Sequence, residues 1–254
     1  MFWKRKAKPV ATARVDFSIP PGRRIYAVGD VHGRDDLFAT LIEMIRTDNR
    51  ARGDAAVTLV LLGDLVDRGP DSAAVVERAR CLRDEFDDTR LLIGNHEECF
   101  LGALTGDVRK LRYFMRIGGD ATILSYWNTD RKFPEASFEE VAALLPHLVP
   151  EEHVAFLGRG EDIVEIGDYI FVHAGIRPGV PISQQQLSDL RWIRDDFLDD
   201  ERDHGAMIVH GHTITDDIDE WPYWIGSDTG AYNSGKLTAI GIEGSERWFL
   251  TTNG

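Results

Sequence analysis

The sequence is poor in cysteine, poor in positive charge and free of long hydrophobic runs. Its 254 residues include 2 cysteines, Cys81 and Cys99, too few for a disulfide framework, and we expect both to be free thiols in a cytoplasmic protein. Lys plus Arg number 29 against 43 for Asp plus Glu, so the formal net charge is −14 and nucleic-acid binding is not expected. No run reaches about 18 apolar residues, so we expect no transmembrane helix.

The amino-terminal segment is basic but has no apolar core of the kind that a signal peptide needs. Phe2 and Trp3 stand next to several lysines and an arginine, a combination that allows contact with an anionic membrane surface. We expect residues 1–22 to form a disordered leader that ends at a Pro-Pro-Gly sequence. With 43% hydrophobic residues, the chain can bury one sizeable core, so we expect residues 23–254 to form a single domain.

Short apolar runs alternate with helical periodicity in the amino-terminal part of the chain. The runs at 24–28, 57–62 and 91–93 predict buried strands, and the segments after them place apolar residues at the helical period. Strand, loop and helix repeated three times predict an α/β fold with a parallel sheet.

The pattern changes at about residue 107. Residues 107–160 favour helices with breaks at glycine and proline, and we expect a helical insertion that lies beside the sheet and borders the site. Strand signals return after residue 160, several of them joined by turns with glycine or aspartate, which predicts an antiparallel second sheet. The predicted architecture is a two-sheet β-sandwich flanked by helices, with a helical insertion.

Five short motifs place polar residues directly after apolar runs. They are Gly-Asp-Val-His-Gly at 29–33, Gly-Asp-Leu-Val-Asp-Arg-Gly at 63–69, Gly-Asn-His-Glu at 94–97, Val-His-Ala-Gly at 172–175 and His-Gly-His at 210–212. Each contains Asp, His or Asn, the donors that hard and borderline cations take. Because loops at the carboxyl ends of strands gather at one edge of an α/β sheet, the five motifs predict the site of a two-metal hydrolase.

The donors suit two neighbouring cations. Asp30 and His32 are one residue apart and can reach the same ion, and Asp64 can offer one oxygen to each of two ions. Two ions of this kind stabilise the attacking and leaving oxygens of an in-line displacement, and they turn a bridging water into a hydroxide nucleophile. The remaining donors are Asn95, His173 and His212.

Three residues beside these donors suit phosphoester cleavage. The leaving alkoxide needs a proton, and His96 can supply it if Asp67 orients the imidazole and raises its pKa. Arg68 lies in the same loop as Asp67 and can hold phosphate oxygens with its planar guanidinium.

The first three motifs resemble the signature motifs of the metal-dependent phosphoprotein phosphatases, and His173 and His212 match two later histidine ligands of that family. The resemblance spans residues 25–242 and is closest to the small bacterial and phage serine/threonine phosphatases. In that subgroup a Trp-x-Arg segment supplies a second phosphate-binding arginine, and the Trp-Ile-Arg segment ending at Arg194 is similar to it.

The resemblance implies a role for each candidate residue. It assigns the first metal to Asp30, His32 and Asp64, and the second metal to Asp64, Asn95, His173 and His212. It assigns the general acid pair to His96 and Asp67, and the phosphate clamp to Arg68 and Arg194.

Three residues keep alternative roles. Arg194 either binds phosphate or is held in a salt bridge by the acidic run at 195–203, which can hold nearby Arg191 in the same way. His210 either supports a ligand or is an ordinary buried histidine. Asp228 either orients a histidine ligand or forms a turn.

The predicted function is a cytoplasmic phosphomonoesterase that removes phosphate from serine or threonine of phosphoproteins, or from small phosphoesters. Manganese is the expected metal, with iron and zinc as alternatives. The same motifs serve symmetrical dinucleoside tetraphosphate hydrolases, the alternative function, and a non-catalytic binding module of the same fold is the third hypothesis. The choice of substrate lies in the insertion, where Trp127 replaces a glycine usual in the subgroup, and in residues 195–206.

Overall fold

The computed structural model describes residues 16–129 and 132–253, which form ten strands and ten α-helices. The strands are β1 (Arg23–Val28), β2 (Ala56–Leu61), β3 (Asp88–Leu91), β4 (Ile163–Ile166), β5 (Tyr169–Val172), β6 (Met207–His210), β7 (Asp219–Glu220), β8 (Trp224–Gly226), β9 (Thr238–Glu243) and β10 (Glu246–Thr251). The helices are α1 (Asp35–Arg52), α2 (Ser72–Cys81), α3 (Asn95–Ala103), α4 (Val108–Phe114), α5 (Asp120–Tyr126), α6 (Phe138–Leu148), α7 (Glu151–Leu157), α8 (Leu187–Trp192), α9 (Asp195–Leu198) and α10 (Ala231–Ser234).

The first sheet has the strand order β10-β9-β1-β2-β3. β1, β2 and β3 run parallel, as the three strand–helix repeats predict. β9 pairs antiparallel with both β1 and β10. All but the first residue of β1 and of β2 are buried, because both faces of these central strands are covered.

The second sheet has the order β4-β5-β6-β8-β7 and is mixed. β5, β6 and β8 run parallel, and only the edge strands β4 and β7 pair antiparallel. The prediction of an antiparallel second sheet is therefore wrong for its centre, and β9 and β10 belong to the first sheet. The segment between β5 and β6 contains α8 and α9, and such a long crossover brings the next strand back in the same direction.

The two sheets pack face to face between layers of helices, as predicted. Ile25 and Val60 of the first sheet share an apolar core with Phe171 and Val209 of the second. On the outer face of the first sheet, residues of β1 and β2 pack with α1 and α2. On the outer face of the second sheet, residues of β5 and β6 pack with α8 and α9.

Residues 107–160 contain α4, α5, α6 and α7 in the described part of the chain. α4 packs on α3, and both α5 and α7 pack on α2. α2 follows the second of the five motifs, and α3 begins inside the third. The insertion therefore packs directly behind these two motifs. Between α4 and α5 the helix is interrupted at Gly118, whose φ is 111°.

The ordered fold begins before the predicted boundary of the leader at residue 22. Phe17 and Ile19 are buried in the core between the two sheets, and the Ile19 N–H donates to the Gly244 carbonyl at 3.0 Å. These two apolar side chains dock the segment, so the disordered leader cannot extend to residue 22. Residues 1–15, with the predicted membrane contact, lie outside the described residues.

Within residues 16–129 and 132–253, no helix combines the length and the apolar character that crossing a membrane requires.

Candidate functional site

The five motifs converge at one edge of the sandwich, where the carboxyl ends of β1, β2, β3, β5 and β6 meet. The backbone N–H groups of Val31 and His32 donate to the Asp64 carbonyl at 3.1 and 2.9 Å, which joins the first two motifs. The His212 N–H donates to the Asp30 carboxylate at 2.9 Å, which joins the two sheets. Side chains far apart in sequence are thereby held in one buried cluster.

Asp64 lies at the centre of this cluster. One carboxylate oxygen, Oδ2, is 3.6 Å from His32 Nε2, and the other, Oδ1, is 3.4 Å from His173 Nε2. His173 Nε2 is also 3.1 Å from Asn95 Oδ1 and 3.2 Å from His212 Nδ1. A carboxylate that faces one group of donors with each oxygen fits a bridge between two cations.

Two groups of donors are close enough to hold an ion. One comprises His32, Asp64 and His96, and the other comprises Asp64, His173 and His212. The first group contains His96 in addition to two predicted ligands, and it does not contain Asp30. The Asp30 carboxylate is buried beside them and accepts the His212 N–H with both oxygens, at 3.1 and 2.9 Å.

The histidine rings present unpaired nitrogens to this cluster. His32 Nδ1 contacts the Val66 carbonyl and His173 Nδ1 contacts the Leu62 carbonyl, each at 2.8 Å, which leaves Nε2 of each ring for the site. The buried Nε2 atom of His32 has no hydrogen-bond partner, and His212 faces His173 Nε2 with its Nδ1 atom. A buried polar atom without a partner is costly, and a cation at this position would remove that cost. The donor set therefore fits divalent metal ions.

The electrostatics of the cluster also favour a cation. Burial lowers the pKa of His32 to about 3, so its ring is neutral and able to ligate at pH 7. Burial, together with the negative charges of Asp228 and Asp64, raises the pKa of Asp30 well above its usual range. The Asp30 carboxylate thus lacks enough positive charge around it, and a bound cation would supply that charge.

Backbone strain is concentrated at the same residues. Among the described residues, the non-glycine residues with φ in the left-handed region are His32, Asp64, Asp67, Arg68 and His212, at 46°, 50°, 75°, 67° and 64°. Each such residue costs about 1–3 kcal/mol and persists only where the surrounding structure holds it. All five are candidate site residues from the sequence, so the fold strains its backbone to place them.

Glycines allow the motifs to approach one another closely. A Cβ at Gly94 would lie 2.1 Å from Asp64 Oδ1, and a Cβ at Gly211 would lie 2.0 Å from Asp30 Oδ1. Any side chain at these positions would displace a carboxylate of the cluster.

Glu97 is a structural residue of the site to which the sequence reasoning gave no role. Its buried carboxylate accepts the N–H groups of Asp64 and Leu65, both at 2.7 Å, and of Gly94 at 3.0 Å. One side chain therefore fixes two motif loops. The available signal was its place at the end of the Gly-Asn-His-Glu motif.

His96 and Asp67 form the predicted pair. His96 Nδ1 donates to Asp67 Oδ2 at 2.5 Å, and the other Asp67 oxygen accepts the Thr122 hydroxyl at 2.6 Å. Thr122 also accepts the Asp67 N–H at 2.8 Å. It belongs to α5, so the insertion supports this pair directly. The sequence pattern did not identify Thr122.

The His96 imidazole has competing influences on its protonation. Burial opposes the charged form, but the negative charge of Asp64 and the hydrogen bond to Asp67 outweigh burial and raise the pKa of His96 above its ordinary value. Arg68 Nη2 donates to His96 Nε2 at 2.9 Å, and its charge acts against protonation. Proton uptake at Nε2 therefore requires Arg68 to move away.

Arg194, rather than Arg191, points to the cluster. Its Nη1 donates to the His212 carbonyl and to the Thr213 hydroxyl, each at 3.2 Å. Arg191 is instead bound to Asp162 at 2.7 Å. The structure thus separates two arginines that the sequence left as alternatives.

Tyr232, in α10, borders the site and was missed by the sequence reasoning. The residue is 36% exposed. The centroid of its ring lies 4.9 Å from the Arg68 guanidinium carbon, and the ring meets His32 edge-on at 5.5 Å between ring centroids. By contrast, the buried His210 ring packs between Phe197 and Trp224 at 5.2 and 5.3 Å, as an ordinary core histidine does.

Comparison with known families gives one match over most of the chain. The profile of the calcineurin-like phosphoesterases matches residues 23–237. These residues include every predicted ligand, the His96–Asp67 pair and both arginines.

Curated relatives match over shorter segments. A protein of Acidovorax sp. (strain JS42) named symmetrical bis(5'-nucleosyl)-tetraphosphatase is 42% identical over 88 residues, which cover 35% of this chain and 28% of the relative. A protein of the same name from Nitrosospira multiformis is 28% identical over 163 residues, covering 64% of this chain and 47% of the relative. The chain thus matches less than half the length of either relative.

Solved structures share the fold over nearly the whole chain. One described as a proposed diadenosine tetraphosphatase covers 94% of this chain and 100% of its own, with a TM-score of 0.63 and 22% identity. A protein serine/threonine phosphatase from Saccharomyces cerevisiae covers 92% of this chain and 81% of its own, with a TM-score of 0.53 and 15% identity. At these identities the likeness concerns the fold alone.

Proposed function

This chain belongs to the calcineurin-like phosphoesterase family of hydrolytic metalloenzymes, and we propose from that premise that it hydrolyses dinucleoside tetraphosphates symmetrically. The substrate assignment rests on the curated relatives, which carry that activity in their names. It replaces the phosphoprotein as the leading substrate. The serine/threonine phosphatase activity is the second candidate, because Arg194 lies beside His212 as the resemblance to the small phosphatases implies.

The predicted ligands would hold two divalent ions, with manganese as the proposed metal. They are Asp30, His32, Asp64, Asn95, His173 and His212. When bound, such ions supply an acidified water and stabilise charge on the transferred phosphoryl group.

The side chains around the ions have separate tasks in this proposal. Arg68 and Arg194 bind phosphate oxygens with their guanidinium groups. When Arg68 turns to the phosphate, His96 Nε2 loses its present donor and can take up the proton that it later gives to the leaving oxygen. Asp67 holds the imidazole through Nδ1 and stabilises its charged form.

Kinetics on paired substrates test the substrate class. With manganese present, we expect kcat/KM for diadenosine tetraphosphate to exceed that for a phosphoserine peptide by about 100-fold or more. Symmetrical cleavage is expected to release two ADP molecules, which chromatography separates from ATP and AMP. A preference for the peptide would support the second candidate instead, and no turnover of either substrate with any divalent ion would favour a binding module.

Tyr232 offers an exposed ring face for a nucleobase next to the phosphate clamp. We expect Tyr232→Ala to raise KM for diadenosine tetraphosphate about 5- to 100-fold, since base stacking on an aromatic ring contributes about 1–3 kcal/mol. Tyr232→Phe is the matched control, because it keeps the ring and should keep the wild-type KM. Equal losses for diadenosine tetraphosphate and for 4-nitrophenyl phosphate in the alanine variant would mean that Tyr232 acts only by holding Arg68.

A further inference from the structure

Asp228 lies beside Asp30 at the edge where the two sheets meet. Ser227 and Asp228 directly follow β8, and the Ser227 N–H donates to the carbonyl of His210 at 2.9 Å. The backbone of Gly29 packs so closely on Ser227 that a Cβ at Gly29 would lie 2.6 Å from the Ser227 carbonyl oxygen. The residues that follow this contact, Asp30 and Asp228, are therefore neighbours although 198 positions separate them in sequence.

The two oxygens of Asp228 have different surroundings. Oδ1 accepts the Gly230 N–H at 2.9 Å, a bond that shapes the turn. Oδ2 is buried without a hydrogen-bond partner, and the whole residue is 1% exposed. The turn needs only Oδ1, and an asparagine would serve it equally well. The turn therefore does not require the negative charge of Asp228 or its second carboxylate oxygen.

Among the described contacts, no cationic side chain donates a hydrogen bond to the Asp228 carboxylate. Arg68 and Arg194 carry the positive charges closest to the pair, but Arg68 donates to His96 and Arg194 donates to the carbonyl of His212. Among the described contacts, the carboxylate of Asp30 accepts the N–H of His212 and lies against the carboxylate of Asp228. Two buried carboxylates side by side repel each other unless a cation lies between or beside them.

We propose that Asp228 is a further acidic group of the first cation position, offering Oδ2 and a negative charge to the ion next to Asp30. This role differs from the orientation of a histidine, because the described contacts of the Asp228 side chain are with the Gly230 N–H and the Asp30 carboxylate, and none is with an imidazole. It is independent of the substrate, so it stands or falls separately from the proposed dinucleotide activity.

Asp228→Asn is the direct test, because it keeps the turn bond through Oδ1 and removes only the charge and one oxygen acceptor. We expect titration calorimetry with Mn²⁺ alone to show one of two sites weakened about 10- to 100-fold and the other unchanged. Asp217→Asn is the matched control. Asp217 is 86% exposed and paired with Lys236 in a neighbouring loop, so the same change of net charge there should leave both sites intact.

Thermal unfolding gives a second measure that does not depend on turnover. Without metal, we expect Asp228→Asn to melt at a higher temperature than the wild type, because it removes one of two repelling charges. With saturating Mn²⁺, we expect a smaller rise in Tm than the wild type shows. A purely turn-forming Asp228 would give the opposite signs or no change.

A second variant tests the proposal in the case that Asp228→Asn does not fold. Asp228→Ser keeps a short acceptor for the Gly230 N–H and also lacks the charge, so it should lose the same site. Two Mn²⁺ sites of wild-type affinity in either folded variant would overturn the proposal.

Discussion

Asp64→Asn is expected to lose both metal ions and nearly all activity, the largest effect of any single substitution in this protein. Asp64 is the residue whose two oxygens face different donors, His32 on one side and His173 on the other. An asparagine keeps one oxygen but presents an amide nitrogen in place of the second, and it removes the negative charge from between the two groups. Cations that share one bridging carboxylate should therefore both dissociate.

The fold should survive this substitution. Asp64 adopts a φ of 50°, and asparagine tolerates the left-handed region better than other side chains. Its oxygen can still accept the N–H of His96, which Asp64 Oδ1 now accepts at 3.1 Å. Elemental analysis after dialysis, with circular dichroism to check folding, measures the effect. Two tightly retained ions in a folded Asp64→Asn protein would show that Asp64 does not bridge.

The sequence predicts well that the site residues lie together, because the order and direction of the strands alone bring their carboxyl-end loops to one edge. Parallel strands followed by helices place their carboxyl-end loops at one edge, so Asp30 and Asp64 had to be neighbours once β1 and β2 were recognised. His173 and His212 follow two strands of the second sheet that also run parallel. The error about that sheet concerned these two strands, because an antiparallel pairing would have placed their carboxyl ends at opposite edges. Their parallel pairing brings His173 and His212 to the same edge.

The parts that the sequence does not predict depend on contacts between distant segments. Thr122 reaches Asp67 across 55 positions, and nothing in the helical pattern of the insertion marks one threonine on α5. The strained backbone of Asp67 and Arg68 is equally hidden, since neither is a glycine and propensity disfavours the left-handed region for both. Tyr232 lies beside Arg68 only because α10 packs against the second motif.

His96→Asn is expected to retain metal and to lose about 10²–10⁴-fold in kcat for substrates with a strongly basic leaving oxygen. Asparagine can keep a hydrogen-bond donor near Asp67 but cannot transfer a proton. For 4-nitrophenyl phosphate, whose leaving group is a weak base, the loss should be much smaller. Phenyl phosphate, with a similar shape and a more basic leaving group, is the matched substrate, so the ratio of the two losses reports on proton donation.

The metal content of the same variant decides between two roles for His96. Its ring lies in the group with His32 and Asp64, so a ligand role is compatible with its position, whereas its contact with Asp67 at 2.5 Å fits an oriented acid. A ligand would lower metal occupancy and reduce the turnover of both phosphate esters alike. An acid would leave occupancy unchanged and affect chiefly phenyl phosphate. Asp67→Asn should then reproduce part of the same leaving-group dependence, because the imidazole would lose the carboxylate that stabilises its charged form.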